Sequence, residues 1–162
     1  MKKHLVTLLA FAAMWSSLVA LAAPPAEWGF LKLPDAMAAA KTANKPVFVL
    51  FGFARCAGCY NLYSGTFRDA ELRTTFQKNF ILAYVDTEKQ GEPDSYQLGD
   101  GPAQSHAELM SAFRATPTPS WVFLTSQGAQ LNGGRGGRTT VRELLRDGEL
   151  ALEKFRTTAG GG

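Results

Sequence analysis

Hydrophobic residues gather into two continuous runs in the middle of the chain. These runs are Pro46–Phe53 and Phe80–Val85, and neither alternates with polar residues as a half-exposed strand would. Such runs are typical of strands buried on both faces of a sheet. Between them, Asn61–Thr66 and Asp69–Asn79 have helical spacing, and Asp69 is placed to cap the second helix. A strand, a helix and a strand in this order predict two parallel strands joined by a right-handed crossover.

The rest of the pattern predicts three more helices and two more strands. These are a helix at Leu33–Ala43, a helix at Ser105–Phe113, strands at Trp121–Leu124 and Ala129–Leu131, and a last helix that Thr139 caps and that runs to about Phe155. The glycine-rich stretch Gly133–Arg138 predicts a strand end, a bulge and a turn. Helices that alternate with strands place the chain in the α/β class.

A polar stretch rich in glycine and proline, Thr87–Gln104, follows the second buried strand and predicts a long loop. Parallel strands end at the same edge of a sheet, so we expect Cys56 and Asp86 to lie close together at that edge. Long loops are more often functional than accidental. Two interpretations of this loop stay open, a functional segment and a solvated surface insertion.

Residues 1–22 have the pattern of a cleaved secretory signal peptide. Two lysines precede the apolar run Leu5–Ala13, and Ala20–Ala22 supplies the small residues of a cleavage site. We therefore expect a domain at 23–162 that is periplasmic or otherwise secreted. An uncleaved membrane anchor is the alternative, although two serines interrupt the apolar run.

The composition is that of a globular protein of one domain. The chain has 162 residues, of which 46% are hydrophobic and 19% charged. Its formal net charge is +3, but two of its 17 basic residues lie in the signal pattern, and the remainder nearly balances the 14 acidic residues. Charge therefore gives no support to nucleic-acid binding.

The chain has two cysteines, Cys56 and Cys59, so a disulfide-framework fold and a four-cysteine zinc site are both excluded. A zinc site would need two more ligands, and the one histidine after the signal pattern, His106, is expected at the surface. A bridge between Cys56 and Cys59 closes too short a loop to stabilise the fold much through chain entropy. The spacing favours an exchangeable disulfide over a structural one.

The arrangement resembles the thioredoxin fold over Trp28–Phe155. Three features carry the resemblance: the CxxC pair between a buried strand and a helix, the alanine-rich helix before Lys45–Val49, and the run Thr116–Leu124. The resemblance implies a single domain with a central mixed sheet of about four to five strands flanked by helices. It also implies a cis-proline that packs against the cysteines. Pro119 fits that position, and Pro117 is the competing candidate.

Among thioredoxin-like proteins, the chain resembles secreted members similar to the C-terminal domain of the DsbD reductant transporter and to the SoxW group. The shared pattern is Cys56–Cys59, then Phe67–Asp69, then Asn79–Leu82 leading to Val85 and Asp86. This likeness implies a thiol:disulfide oxidoreductase, more specifically a disulfide reductase. It implies a disulfide-bonded periplasmic client and a membrane electron donor of the DsbD or CcdA type. No cofactor beyond the cysteine pair and no metal are expected, and a monomer is the default.

The chemistry of such a pair assigns different roles to its members. Cys56, at a helix N-terminus, is expected to be the nucleophile because backbone N–H groups and the helix dipole favour its thiolate. Cys59, one turn further on, is expected to resolve the mixed disulfide. Neighbouring residues that tune the pair or line its groove are expected to be Arg55, Ala57, Gly58 and Tyr60.

The resemblance also implies a substrate contact, and at one position the sequence departs from the thioredoxin pattern. Thr118 would present backbone groups to an extended substrate segment beside Pro119. Many thioredoxins have a buried aspartate six residues before the first cysteine, and Leu50 occupies that position here. Water, Asp86 or Glu88 would then have to assist resolution.

Two other classes of function remain open. One is a binding or chaperone module with a vestigial disulfide, which Leu50 and the loop Thr87–Gln104 suggest. The other is copper(I) handling through two soft thiolates.

Overall fold

The computed structural model describes residues 22–159. Its helices and strands, in chain order, are β1 (Leu31–Lys32), α1 (Leu33–Ala43), β2 (Val47–Gly52), α2 (Ala57–Ser64), α3 (Ala70–Asn79), β3 (Ile81–Asp86), β4 (Ser95–Tyr96), β5 (Gln104–Ser105), α4 (His106–Ala112), β6 (Ser120–Leu124), β7 (Gln130–Arg135) and α5 (Val141–Ala159). Short 3-10 turns lie at Ala26–Trp28 and Thr66–Arg68.

A five-stranded mixed sheet in the order β1-β3-β2-β6-β7 forms the centre of the fold. Every residue of β2 is buried, as its unbroken apolar sequence predicts. This strand is parallel to β3, with Gly52 opposite Asp86, and antiparallel to β6, with Phe51 opposite Ser120. The ends of β2 and β3 and the start of β6 therefore meet at one edge of the sheet. The predicted thioredoxin fold is confirmed.

Aromatic side chains dominate the layer on one face of the sheet. Trp28, which is 1% exposed, stacks on Phe67 with ring centroids 4.1 Å apart, and its indole N–H donates to the Phe67 carbonyl at 2.9 Å. Phe48, Phe76 and Phe123 continue the cluster against β2 and β6. Trp28 is thus a core residue, while smaller side chains of α1 pack on the opposite face.

Of the two predicted helix caps, one is present and one is displaced. Asp69 accepts a hydrogen bond from the Leu72 N–H at 2.7 Å and caps α3 as expected. The last helix is capped by Thr140 instead of Thr139, because Glu143 and Thr140 exchange side-chain to backbone hydrogen bonds. The Thr139 hydroxyl donates to the Gly136 carbonyl and holds the turn before α5.

Two elements extend beyond their predicted bounds. The helix α2 begins at Ala57, directly after Cys56, although its apolar spacing becomes regular only at Asn61. The strand β7 runs to Arg135 and includes two glycines of the glycine-rich stretch. It does so because β6 supplies a pairing partner, with Trp121 opposite Gly134.

The stretch 87–104 contains a small two-stranded sheet, β4 with β5, where the sequence predicts a loop alone. Tyr96 within it is fully buried, and its hydroxyl donates to Glu92 Oε2 at 3.0 Å. The same hydroxyl lies 3.0 Å from Nδ1 of His106, which is half-buried and not a plain surface residue. Part of this stretch is therefore packed into the fold.

Most of the predicted signal pattern lies outside the described residues, and of residues 1–22 only Ala22 is described. Between residues 22 and 159, no helix has both the length and the apolar character needed to cross a membrane.

Replacing Gly148 with alanine is expected to stabilise the protein by about 1 kcal/mol, because alanine is the better helix former. Gly148 lies inside α5, and a Cβ there would meet Phe76 and Phe80 at ordinary contact distances of 3.4 to 3.5 Å. Chemical denaturation measures the change. Gly128→Ala is the control and should destabilise, because Gly128 has φ +85° and its Cβ would lie 2.7 Å from the Leu98 side chain. A lower stability of Gly148→Ala would contradict the prediction.

Replacing Asp147 with asparagine is expected to raise stability at about pH 7 and to have little effect at about pH 3. Burial raises the pKa of Asp147, although the Trp121 indole N–H, which donates to Oδ2 at 3.2 Å, opposes this. The folded chain therefore holds the proton of the Asp147 carboxyl group more tightly than the unfolded chain does. Stability falls as pH rises through the raised pKa. Thermal unfolding at both pH values measures the difference. A gain confined to low pH would contradict it.

Candidate active site

The two cysteines lie where β2 passes into α2, at the sheet edge that β3 and β6 share. A turn closed by the Cys56 N–H, which donates to the Phe53 carbonyl at 3.2 Å, follows the strand. Cys56 is the N-cap of α2, and the two sulfurs form a disulfide with their Cα atoms 5.2 Å apart. Cys59 is fully buried and Cys56 is 4% exposed. Cys56 is thus the more accessible member of the pair.

Two donors converge on the Cys56 sulfur. The Cys59 N–H donates to it at 3.0 Å, and the Thr118 hydroxyl lies 3.3 Å from it. Both groups would also donate to a thiolate, and hydrogen bonds to the charged form favour that form. The start of α2 adds the positive end of a helix dipole. The arrangement therefore favours an ionised Cys56 once the disulfide is open.

Close backbone contacts fix the Thr118–Pro119 segment against the cysteine turn. A Cβ built on Gly58 would lie 2.9 Å from Pro119 Cδ and 3.3 Å from the Thr118 carbonyl. A Cβ built on Gly137, in the turn before α5, would lie 2.4 Å from the Gly58 carbonyl oxygen. The cysteine turn, the Thr118–Pro119 segment and the turn before α5 therefore meet at Gly58. Their close approach requires glycine at positions 58 and 137.

Cis peptide bonds precede both Pro117 and Pro119, which the resemblance treats as alternatives. Pro119 is buried and adjoins Gly58, whereas Pro117 is exposed.

A pocket of about 400 Å³ opens beside Cys56. Tyr60, 51% exposed, forms one wall, and it lines this pocket instead of packing into the core. Ala22 also lines the pocket, and its N–H donates to the Ala54 carbonyl at 2.6 Å. The other lining residues are Arg55, Ala57 and Asn61. Of the predicted tuning and groove residues, Arg55, Ala57 and Tyr60 therefore share one surface with the sulfur of Cys56.

Arg55 is exposed and forms an ion pair with Glu88 at 3.8 Å. The pair joins the cysteine turn to the stretch 87–104. Because Glu88 balances the charge of Arg55 and solvent screens both, Arg55 contributes less to the field at Cys56 than the sequence suggests.

Tyrosine side chains lie on the inner side of Cys59, and sequence reasoning missed them. A Cβ built on Gly52 would lie 3.0 Å from the Tyr63 hydroxyl, 3.1 Å from the Cys59 sulfur and 3.3 Å from the Tyr84 ring. Burial raises the pKa of Tyr63 well above its usual range, and Tyr84 and Asp86 raise it further. One signal was available: Tyr63 follows Cys59 by four residues, so both lie on one face of a helix.

The carboxylates proposed from the sequence as helpers do not occupy the position of the missing aspartate. Leu50 is fully buried in β2, opposite Tyr84 and Trp121. Asp86, 8% exposed, accepts hydrogen bonds from the N–H groups of Glu88 and Gln90 and holds the turn after β3.

Within residues 22–159, no cluster of three or more histidine, cysteine, aspartate or glutamate residues is arranged to hold a metal ion.

Comparison with known proteins places this geometry in a family. The thioredoxin-like domain family matches residues 33–148. Spermatogenesis-associated protein 20 of Mus musculus is 31% identical over 71 residues, which cover 44% of this chain and 8% of that protein. The chain thus corresponds to a small part of that relative's length.

Two solved structures share the fold. A thioredoxin from Thermus thermophilus aligns with a TM-score of 0.60 and 21% identity, covering 82% of this chain and 92% of that one. The DsbD C-terminal domain of Neisseria meningitidis, in its oxidised form, aligns with a TM-score of 0.53 and 16% identity, covering 71% of this chain and 89% of that one. Because the family match spans both cysteines and the Thr118–Pro119 segment, the chain belongs to the thioredoxin-like domain family.

Proposed function

We propose that the protein is an exported thiol:disulfide oxidoreductase that reduces disulfides in client proteins. The observation that carries the proposal is the placement of Cys56. Its sulfur caps α2, lies within reach of the Thr118 hydroxyl, and is bonded to the fully buried Cys59. A structural disulfide does not need the start of α2 or the Thr118 hydroxyl beside it. A nucleophilic thiolate at Cys56 is stabilised by both.

The reaction proceeds in two exchange steps from the reduced pair. The Cys56 thiolate attacks one sulfur of the client disulfide, which forms a mixed disulfide and releases the client's other sulfur as a thiolate. Cys59 then attacks the Cys56 sulfur, closes the Cys56–Cys59 bond and releases the second client thiol. The client gains two electrons and two protons, and the pair loses them.

The surface around Cys56 suits an extended client segment. Within the part of the chain that the structure describes, the Thr118 main chain makes no hydrogen bond to another backbone group. Its N–H and carbonyl groups are therefore available for strand-like pairing with a client. The pocket formed by Ala57 and Tyr60 would take the client side chain next to the attacked sulfur.

Export and the electron donor complete the proposal. The signal pattern of residues 1–22 supports a periplasmic or otherwise secreted location, where disulfides persist. The likeness of fold to the DsbD C-terminal domain supports a membrane thiol-reductant transporter of the DsbD or CcdA type as the donor that reduces the pair again.

A redox titration tests the proposal. The purified chain is equilibrated with defined ratios of reduced and oxidised glutathione, and the free cysteines are then alkylated and counted by mass spectrometry. We expect reversible exchange with a potential below that of the glutathione couple. A potential well above it would make the protein an oxidant. A pair that does not exchange would contradict the proposal and favour a binding module with a vestigial disulfide.

A further inference from the structure

Among residues 22–159, the buried hydroxyl group of Tyr63 has no partner in hydrogen-bonding geometry, although the Tyr84 side chain lies close enough to raise its pKa. Tyr63 is 6% exposed, and its oxygen is inaccessible to solvent. Most buried polar side-chain atoms are paired, because an unpaired one loses its hydrogen bonds to water and gains none in return. An unpaired hydroxyl at this depth suggests that its partner belongs to another state of the protein.

The sulfur of Cys59 lies close to this hydroxyl. The Tyr63 hydroxyl oxygen and the Cys59 sulfur approach the same point, the Cβ position of Gly52, to 3.0 and 3.1 Å. A Cβ at position 52 would crowd both atoms. In the disulfide, the Cys59 sulfur is bonded to Cys56 and carries no charge. Opening the disulfide turns this sulfur into a thiol or thiolate, and the Tyr63 hydroxyl stays beside it.

The Cys59 thiolate needs a donor at this place. Cys59 is fully buried, so the ionised sulfur loses its hydration. Leu50, in the buried strand β2, is apolar and can neither accept the proton nor donate one. Without a donor, ionisation of Cys59 would be costly and resolution slow.

We propose that Tyr63 donates a hydrogen bond from its hydroxyl group to the Cys59 sulfur once the disulfide opens, and thereby promotes resolution of the mixed disulfide. The proposal rests on the proposed function. In the step that it assists, the Cys59 thiolate forms a bond to the Cys56 sulfur and the bond from Cys56 to the client sulfur breaks. The departing client thiolate takes up a proton from solvent, which balances the proton that Cys59 loses to solvent.

Tyr63 acts here as a donor and keeps its own proton. Burial raises its pKa far above neutral pH, and Tyr84 and Asp86 reinforce the effect. It therefore does not serve as a base like the aspartate of other thioredoxins. It stabilises the product of ionisation instead.

The direct test is the pH dependence of Cys59 alkylation by iodoacetamide in the reduced Cys56→Ser chain, which leaves one thiol to follow. Adding Tyr63→Phe is expected to slow alkylation about tenfold near neutral pH, because a hydrogen bond to a charged group is lost. The two rates should converge at high pH, where the thiol ionises without help. In the chain with both cysteines, release of glutathione from Cys56 should slow by a similar factor.

Tyr96→Phe is the matched control, because it also removes a buried hydroxyl but lies in the β4–β5 sheet. It should leave the Cys59 profile unchanged and lower the thermal midpoint of the oxidised protein, since its hydroxyl contacts Glu92 and His106. Tyr63→Phe should not lower that midpoint. An unchanged Cys59 profile in Tyr63→Phe, or a lower midpoint of its oxidised form, would overturn the proposal.

Failure of the proposed function gives a different result. If the chain with both cysteines does not exchange with glutathione, the oxidoreductase proposal fails. The Cys59 profile in the Cys56→Ser background still decides whether Tyr63 stabilises that thiolate.

Discussion

Replacing Cys56 with serine is expected to reduce disulfide exchange by more than about a thousandfold, because the hydroxyl is not ionised at neutral pH and cannot attack a disulfide. The fold should change little, because the Cys59 N–H and the Thr118 hydroxyl retain an oxygen to bind at the N-cap. Reduction of insulin by the purified variant, with dithiothreitol as the electron source, measures the loss.

The matched variant Cys59→Ser separates the roles of the two cysteines. It retains the nucleophile and lacks the resolving thiol, so it should accumulate a mixed disulfide with the client that mass spectrometry detects. If Cys56→Ser retains insulin reduction, or if Cys56→Ser traps the client on Cys59, the assignment of Cys56 as nucleophile is wrong.

Replacing Gly137 with alanine is expected to destabilise the protein by about 1 to 3 kcal/mol, because the new Cβ overlaps backbone atoms. It would lie 2.4 Å from the Gly58 carbonyl oxygen and 2.6 Å from the Gly58 Cα, so the cysteine turn or the turn before α5 must shift. A shift of the cysteine turn away from Thr118 and Pro119 should also slow exchange about tenfold or more, because alignment of the reacting atoms is lost.

The control for this prediction is Gly101→Ala in the stretch 87–104. A Cβ there would lie 3.4 Å from the Leu98 carbonyl, which is an ordinary contact, so stability and exchange should both stay near those of the unchanged protein. Denaturation and insulin reduction are measured on both variants. Equal stability of the two would show that the approach of Gly137 to Gly58 is not tight in solution.

The sheet and its main helices were predictable because their signals are local. The apolar run before the cysteines became β2, and Asp69 caps α3 through a contact three residues away. The extension of β7 was not predictable from propensity, because glycines are poor strand formers. Its cause is a tertiary contact: a Cβ on Gly134 would lie 2.7 Å from the Trp121 ring, so glycine is required where the strand crosses the indole.

Part of the site was predictable because its signals are also local in the sequence. Cys56, Cys59 and Pro119 belong to motifs that a sequence displays directly. Gly137 was read only as part of a glycine-rich turn, because its partner, Gly58, is far away in the chain. Tyr63 was missed although its spacing from Cys59 points to a shared helix face, since nothing in the sequence reveals that its hydroxyl is buried without a hydrogen bond to any described residue.

The contact between Cys56 and Thr118 also bears on the order in which the protein acquires its chemistry. The cysteines are three residues apart and can be joined within a single turn, but the Thr118 hydroxyl comes from 62 residues along the chain. Closing that larger loop requires β6 to have paired with β2, which is a non-local contact. A partly folded chain can therefore carry the disulfide without the donor that activates it. Its oxidation state would say nothing about folding, whereas the reactivity of Cys56 would report that the last central strand is in place.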